Sequence, residues 1–263
     1  MKQKTNYSRI AIDSFVVQSK WALTALGIII TIYTIRLWVA NISGNQLGDF
    51  FTSYYHAANI YMLVIGIITA SGLMPFFISN GFTRKDFFKG GALAALGVSI
   101  AIAILFGIIT GLEHTLGNVV NLPLEIDQSS GIGFAEKATD NVLASLILMI
   151  IDVPFMALSS GNWSLPLLIF CLNLITYYVL GWMIGAAFYR NNGLGIGVIM
   201  LSVVFLIIRD LLWGREPGGL LATLIPFSAI DLPLLTSVVG TITIIGLILC
   251  IIRLITSRMA IKI

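Results

Sequence analysis

Side chains able to make or break bonds are few in this chain and lie far apart. Two histidines (His56 and His114), two cysteines (Cys171 and Cys250) and 12 acids are spread over 263 residues. Neither histidine has a second ligand at a spacing that metal sites use, and no HExxH occurs. Both cysteines stand inside apolar runs with no CxxC, which reads as packing and not as redox or metal chemistry. No GxxxxGK[ST] is present, so the chain lacks the loop that cradles nucleotide phosphates. Asp152 and Asp210 are the only acids at the level of apolar segments, and both read as interfacial. An enzyme is therefore not expected, nor a cofactor, nor a nucleic-acid partner.

The charge that is present is basic and grouped. In 78–90, Arg84, Lys85 and Lys89 face a single acid, Asp86, between two uncharged runs, 57–78 and 91–112. Each run has about the 20 residues that a helix needs to cross roughly 30 Å of hydrocarbon. An excess of Lys and Arg in a short loop marks the cytoplasmic side. A helix start bearing Phe82, Phe87 and Phe88 beside Arg84 and Lys85 offers apolar anchors and cations to a partner's groove. The same cations could instead set topology and touch lipid phosphates.

The elements that must position this loop follow from composition. The chain is 58% hydrophobic and 10% charged, with a mean hydropathy of +0.98, whereas soluble domains carry about 25% charged residues. An all-α integral membrane protein is expected, a single domain over 1–263. Its spans are placed at 21–40, 57–78, 91–112, 163–189, 195–213 and 234–255. Residues 1–20 mix Lys2, Lys4, Arg9 and Lys20 with Ile10, Phe15 and Val16, the pattern of an amphipathic helix in the inner interface. The polar and aromatic stretch 41–56 reads as an outer loop, as does the long acidic stretch 113–160. Within the latter, 141–160 is apolar but holds Asp152 and Pro154. If it does not cross, six crossings leave only Arg36, Lys137, Arg209 and Arg215 outside, of 15 basic residues. If it crosses, Arg36, Lys137, Arg190, Arg253, Arg258 and Lys262 are outside. The positive-inside rule prefers six, with both termini cytoplasmic.

Small residues are expected at helix contacts: Gly107 and Gly111, and Gly181 and Gly185, have the GxxxG spacing that lets backbones approach. Arg209, Asp210, Arg215 and Glu216 cluster where the fifth span meets the outer face. The apolar piece after them, 220–232, is too short to cross and reads as a re-entrant or interfacial element at the outer mouth.

The loop Ser79-Asn80-Gly81-Phe82-Thr83-Arg84-Lys85-Asp86-Phe87-Phe88 after the second span, the Tyr189-Arg190 turn after the fourth and the broken element before the last resemble the permease subunit of ABC type-2 transporters. The resemblance covers nearly the whole chain, and the long segment 113–160 departs from the compact members. It implies a multi-pass protein of the cytoplasmic membrane that pairs with a second permease subunit, identical or different, and with a cytoplasmic ATP-binding subunit. It also implies outward movement of a lipid-like, peptide or drug-like cargo, with Gly81, Phe82, Thr83, Arg84, Lys85, Phe87, Phe88 and Lys89 as the ATPase-coupling loop. Two rival readings stay open: a stand-alone carrier, and a non-transporting immunity or sensor-associated membrane protein.

Overall fold

The computed structural model describes residues 6–44, 47–120, 124–125, 164–214 and 232–257. They form seven α-helices: α1 Tyr7–Ser43, α2 Phe50–Ile68, α3 Met74–Ser79, α4 Arg84–Val120, α5 Ser164–Arg190, α6 Asn192–Leu212 and α7 Leu234–Ser257. A π-helical turn, Thr69–Leu73, joins α2 to α3, so that Phe50–Ser79 is one span. Two-residue strands β1 (Leu47–Gly48) and β2 (Leu124–Glu125) pair in parallel. Six helices are long and apolar enough to cross a bilayer. The chain is thus a multi-pass helical membrane protein. In hydrocarbon every backbone N–H and C=O must be satisfied within the segment, which is why these uncharged runs close into helices.

The caps are local. Asp49 accepts from the Thr52 N–H at the start of α2, and Asn191 accepts from the Gly193 N–H at the start of α6 (3.0 Å). Gly44 ends α1 with a φ of 69°, its N–H bonded to the Ala40 carbonyl, a conformation in which a side chain is strained.

Helix α5 is the hub. Of its most apolar 18-residue stretch 72% is buried, against 11% for α1. Helix α2 runs alongside it in the same direction, with Phe51 on Phe170 near one end and Gly66 and Gly185 at the contact further along. A Cβ on Gly66 would overlap the Tyr178 carbonyl and one on Gly181 the Leu63 carbonyl; on Gly185 it would lie 2.6 Å from the Ile67 oxygen. The two backbones are therefore in direct contact. Helix α4 runs antiparallel to α5, with Gly107 against Leu167 and Gly91 against Trp182, and α1 lies along α4 in the same direction, Ile10 at Gly90 and Phe15 at Gly97. Helix α6 turns back along α5 with Gly195 on Phe188, and α7 packs Gly240 on Leu212.

These contacts order the ends. Tyr7, the turn 80–83, the junction 190–191 and Ser257 share one end of the bundle, as the Tyr7–Lys89 and Arg84–Ser257 contacts require. At the other end the chain leaves α4 and enters α5, where Phe106 meets Phe170. Six described helices thus have the length, apolarity and alternating direction for six crossings, with Tyr7 and Ser257 at the same end of the bundle. The segment 141–160 that left seven open lies outside the described residues, as do Arg215, Glu216 and all of 220–232 except its last residue.

Several boundaries differ from those expected. No break separates 7–20 from the first span: Tyr7–Ser43 is one helix of 37 residues, because neither proline nor glycine interrupts it before Gly27. At about 1.5 Å per residue it is roughly 55 Å long, more than the 40–45 Å of a bilayer with its headgroups. The stretch 41–56 is not all loop, since α2 starts at Phe50 and buries Phe50, Phe51 and Tyr55. Helix α4 runs past 112 to Val120 and buries Glu113. Of 78–90, only 80–83 is a turn.

Gly181→Ala should cost about 1–3 kcal/mol, the range for overfilling a packed contact. Gly111, with nothing within 4 Å of an added Cβ, should accept Ala within about 0.5 kcal/mol. Thermal unfolding of the two variants in one detergent checks the contrast.

Candidate functional site

The basic turn is built by its own residues. Gly81 takes a φ of 86°, which the chain needs to reverse between α3 and α4 and which a residue without Cβ adopts freely. Thr83 then caps α4: its hydroxyl accepts from the Asp86 N–H (3.1 Å) and donates to the Asp86 carboxylate (2.9 Å). This reciprocal pair satisfies a first-turn amide and sets a negative charge where the helix dipole favours it.

The aromatic side chains expected to reach for a partner turn inward instead. Phe87 is buried, 5.9 Å from Phe77 and 6.0 Å from Trp182 between ring centroids. Phe82 stacks edge-on against Phe77, and Phe88 lies against Trp182. Phe87 and Phe88 pack on α5 and Phe82 on α3, and edge-to-face pairs add about 0.5–1.5 kcal/mol. Arg84 donates to the Ser257 carbonyl (3.1 Å) and Lys89 sits over the Tyr7 ring (5.9 Å). Gly81, Lys85, Lys89 and Phe76 remain exposed at this end. The turn is therefore a tied corner and not a free hook, since Phe87 and Phe88 join it to α5 while Arg84 joins it to α7.

Three buried polar clusters lie deeper. In the first, Gln18 of α1 donates to Thr69 (3.1 Å) and to the Tyr178 hydroxyl (2.9 Å), and the Thr69 and Tyr178 hydroxyls are 2.8 Å apart. Thr69 also returns its proton to the Ile65 carbonyl of its own helix. The network clasps α1, the π-turn and α5 where the helical ladder is already loosened, and π-turns recur at functional positions.

The second gathers Arg209 and Asp210 with Asn173, Tyr55 and Tyr177. Arg209 bonds the Asp210 carboxylate through Nε (2.9 Å) and Nη2 (2.5 Å), donates to the Asn173 side-chain oxygen (3.3 Å) and lies 5.3 Å from the Tyr177 ring centre. Asn173 in turn donates to the Tyr55 hydroxyl (2.5 Å). Arg209 and Asp210 are 3% and 7% exposed, so the pair is buried between helices. Trp213 and Ser237 close the neighbouring seam by bonding Thr241 (3.1 Å) and the Leu212 carbonyl (2.5 Å). The third is Glu113, which accepts from the Tyr33 hydroxyl and from the Phe50 N–H (2.9 Å), thereby binding α4 to α1 and to the start of α2.

Sequence reasoning missed Gln18, Thr69, Tyr178, Tyr55, Asn173, Tyr33 and the partner glycine Gly66. A lone Asn173 or Gln18 inside an apolar run was the available signal, because polar groups at membrane depth are costly unless paired. The glycines divide: Gly181 and Gly185 meet backbone, Gly107 meets only the Leu167 side chain, and Gly111 faces open space. Among the described residues no group of three His, Cys, Asp or Glu side chains could hold a metal ion. The clusters pair donors with acceptors across helices. The chain matches no family model, no curated protein and no solved structure.

Removing one partner of a buried ion pair strands the other. Asp210→Ala should lower stability by about 3–5 kcal/mol, whereas the double change Arg209→Leu with Asp210→Leu should cost less than that single change. Denaturation of both variants in the same micelle decides it.

Proposed function

We propose that the chain is the membrane-spanning subunit of an ATP-driven ABC-type exporter of the cytoplasmic membrane. It would pair with a second such subunit and with a separate cytoplasmic ATPase to move a lipid-like, peptide or drug-like cargo outward. The observation that carries this reading is the tied corner at 80–89. A push on the exposed Lys85 and Lys89 meets a capped helix start, and Phe87 and Phe88 lean on Trp182 of the central helix. Displacement there would be passed to α5 instead of being absorbed by a loose loop.

Charge supports this orientation. Arg9, Arg84, Lys85, Lys89, Arg190 and Arg253 stand at the end shared by Tyr7 and Ser257, with Arg36 and Arg209 towards the other, an asymmetry that supports a cytoplasmic basic end. The aromatic side chains no longer serve as anchors for the ATPase; the cations and Phe76, 60% exposed, take that role. Closure of the ATPase on nucleotide shifts the bundle only insofar as the ATPase binds its two states with different affinity. The first three turns of α1, with Ile10 and Phe15 seated at Gly90 and Gly97, would move with α4.

The test is purification of the tagged chain from its native membrane in mild detergent. A P-loop subunit should accompany it and hydrolyse ATP. Lys85→Glu with Lys89→Glu should cut that hydrolysis about tenfold, the ratio that about 1.4 kcal/mol of lost interaction gives, without lowering the melting temperature of the chain. A chain that moves cargo alone, or a double variant that hydrolyses ATP at the full rate with its companion, overturns the reading.

A further inference from the structure

Arg253 of α7 belongs to none of the three polar clusters. Its Nη1 is fully buried and has no hydrogen-bond partner, and its guanidinium lies over the Phe88 ring at 5.6 Å. One helical turn away on the same face, the Ser257 carbonyl accepts from Arg84. Arg84 and Phe88 are likewise one turn apart on α4. The two helices run antiparallel here, so the four residues form a square with an arginine at opposite corners.

No carboxylate answers this pair of charges among the described residues. Asp86 is engaged by Thr83, Asp13 lies near Arg9 on α1 (4.0 Å), and the one other ion pair is Arg209 with Asp210. Arg84 spends one donor on a carbonyl and Arg253 spends its face on a ring, and Nη1 of Arg253 has no partner. A guanidinium fork suits the oxygens of a phosphate, which it can bind through two parallel hydrogen bonds.

We propose that the α4–α7 corner at Arg84 and Arg253 is a binding site for the phosphate of an anionic phospholipid. The choice of a lipid over another anion rests on what adjoins the corner. Leu254, 71% exposed, follows Arg253, and Leu247, 52% exposed, lies two turns along the same stripe with the exposed Cys250 between them. An acyl chain can therefore lie along α7 while its headgroup sits in the square. Phe88 holds Arg253 over its ring and keeps the guanidinium at the helix end where headgroups lie. The site stands whether or not the chain works with an ATPase.

The measurement is lipid retention by the purified full chain in nanodiscs of equal phosphatidylglycerol and phosphatidylcholine, read by native mass spectrometry. The wild type should hold phosphatidylglycerol in preference. Arg253→Gln and Arg84→Gln should each lower that preference about fivefold, the ratio that about 1 kcal/mol per cation near a charged surface gives. Arg253→Lys, which keeps the charge and a stem over Phe88, should retain most of it, and Arg36→Gln at the opposite end should change nothing. Equal retention of the two lipids by the wild type overturns the site without reference to any variant. So does an unchanged preference in Arg253→Gln, or loss of the lipid to inorganic phosphate alone, which would mark a site for free anions.

Discussion

Helices α2 and α5 touch backbone to backbone, and the rest of the bundle is arranged around that contact. Gly66 meets the Tyr178 carbonyl, and Gly181 and Gly185 meet those of Leu63 and Ile67. In water, apolar side chains would drive such a contact by leaving the solvent. In hydrocarbon that force is missing, and close dispersion contact between small residues has to replace it. The approach permits Tyr55 and Asn173 at one end and Thr69 and Tyr178 near the middle to bond across the same interface. Without the glycines these four side chains would stand too far apart to pair.

The polar clusters then fix what dispersion alone leaves free. A helix pair in lipid can slide or rotate with little change in apolar contact, whereas a hydrogen bond defines register. Gln18 selects the height of α1 against the π-turn, Arg209 that of α6 against Asn173, and Glu113 that of α4 against the first turn of α2. Each such bond contributes only about 0.6 kcal/mol on average inside a bilayer. Their value lies in the cost of the alternatives, because a slipped helix would leave a buried amide, guanidinium or carboxylate unpaired.

The legible and the illegible parts of the fold separate by distance along the chain. Helix number and approximate span follow from uncharged runs of about 20 residues, and the Gly181 and Gly185 pair from a spacing within a single helix. The answering glycine, Gly66, has Ala70 and not a second glycine four residues on, a less conspicuous form of the same spacing. Asn173 and Tyr55 are 118 positions apart and Gln18 and Tyr178 are 160 apart, and neither residue of a pair implies the other. Phe87 and Phe88 look like free anchors in the sequence because nothing local says that Trp182 stands opposite them. Glu113 looks like the first residue of a loop because Gly111 precedes it, although in a helix packed on both α1 and α2 a buried acceptor for the first N–H of α2 prolongs the helix instead.

The same reasoning ranks the helices by how easily each can move. Helix α5 is bound on nearly all sides, by glycine notches to α2, by Trp182 to α4, by Asn173 to α6 and by apolar packing to α7, so displacing it disturbs every interface together. Helix α1 is held mainly along α4, at Gly90 and Gly97 and by the clasps at Gln18 and Glu113, and most of its apolar surface, from Leu23 through Ile28 and Ile35 to Ile42, is exposed. Its 37 residues exceed the thickness of a bilayer, so a small tilt about the Gln18 clasp displaces its two ends through larger distances. The π-turn lies beside that clasp, with one hydroxyl, that of Thr69, bonded both to α1 and to α5. A rearrangement that shifts α1 against α2 must therefore break or remake the bond between Gln18 and Thr69, which makes this pair, and not the exposed turn alone, the point at which α1 and α2 move together or apart.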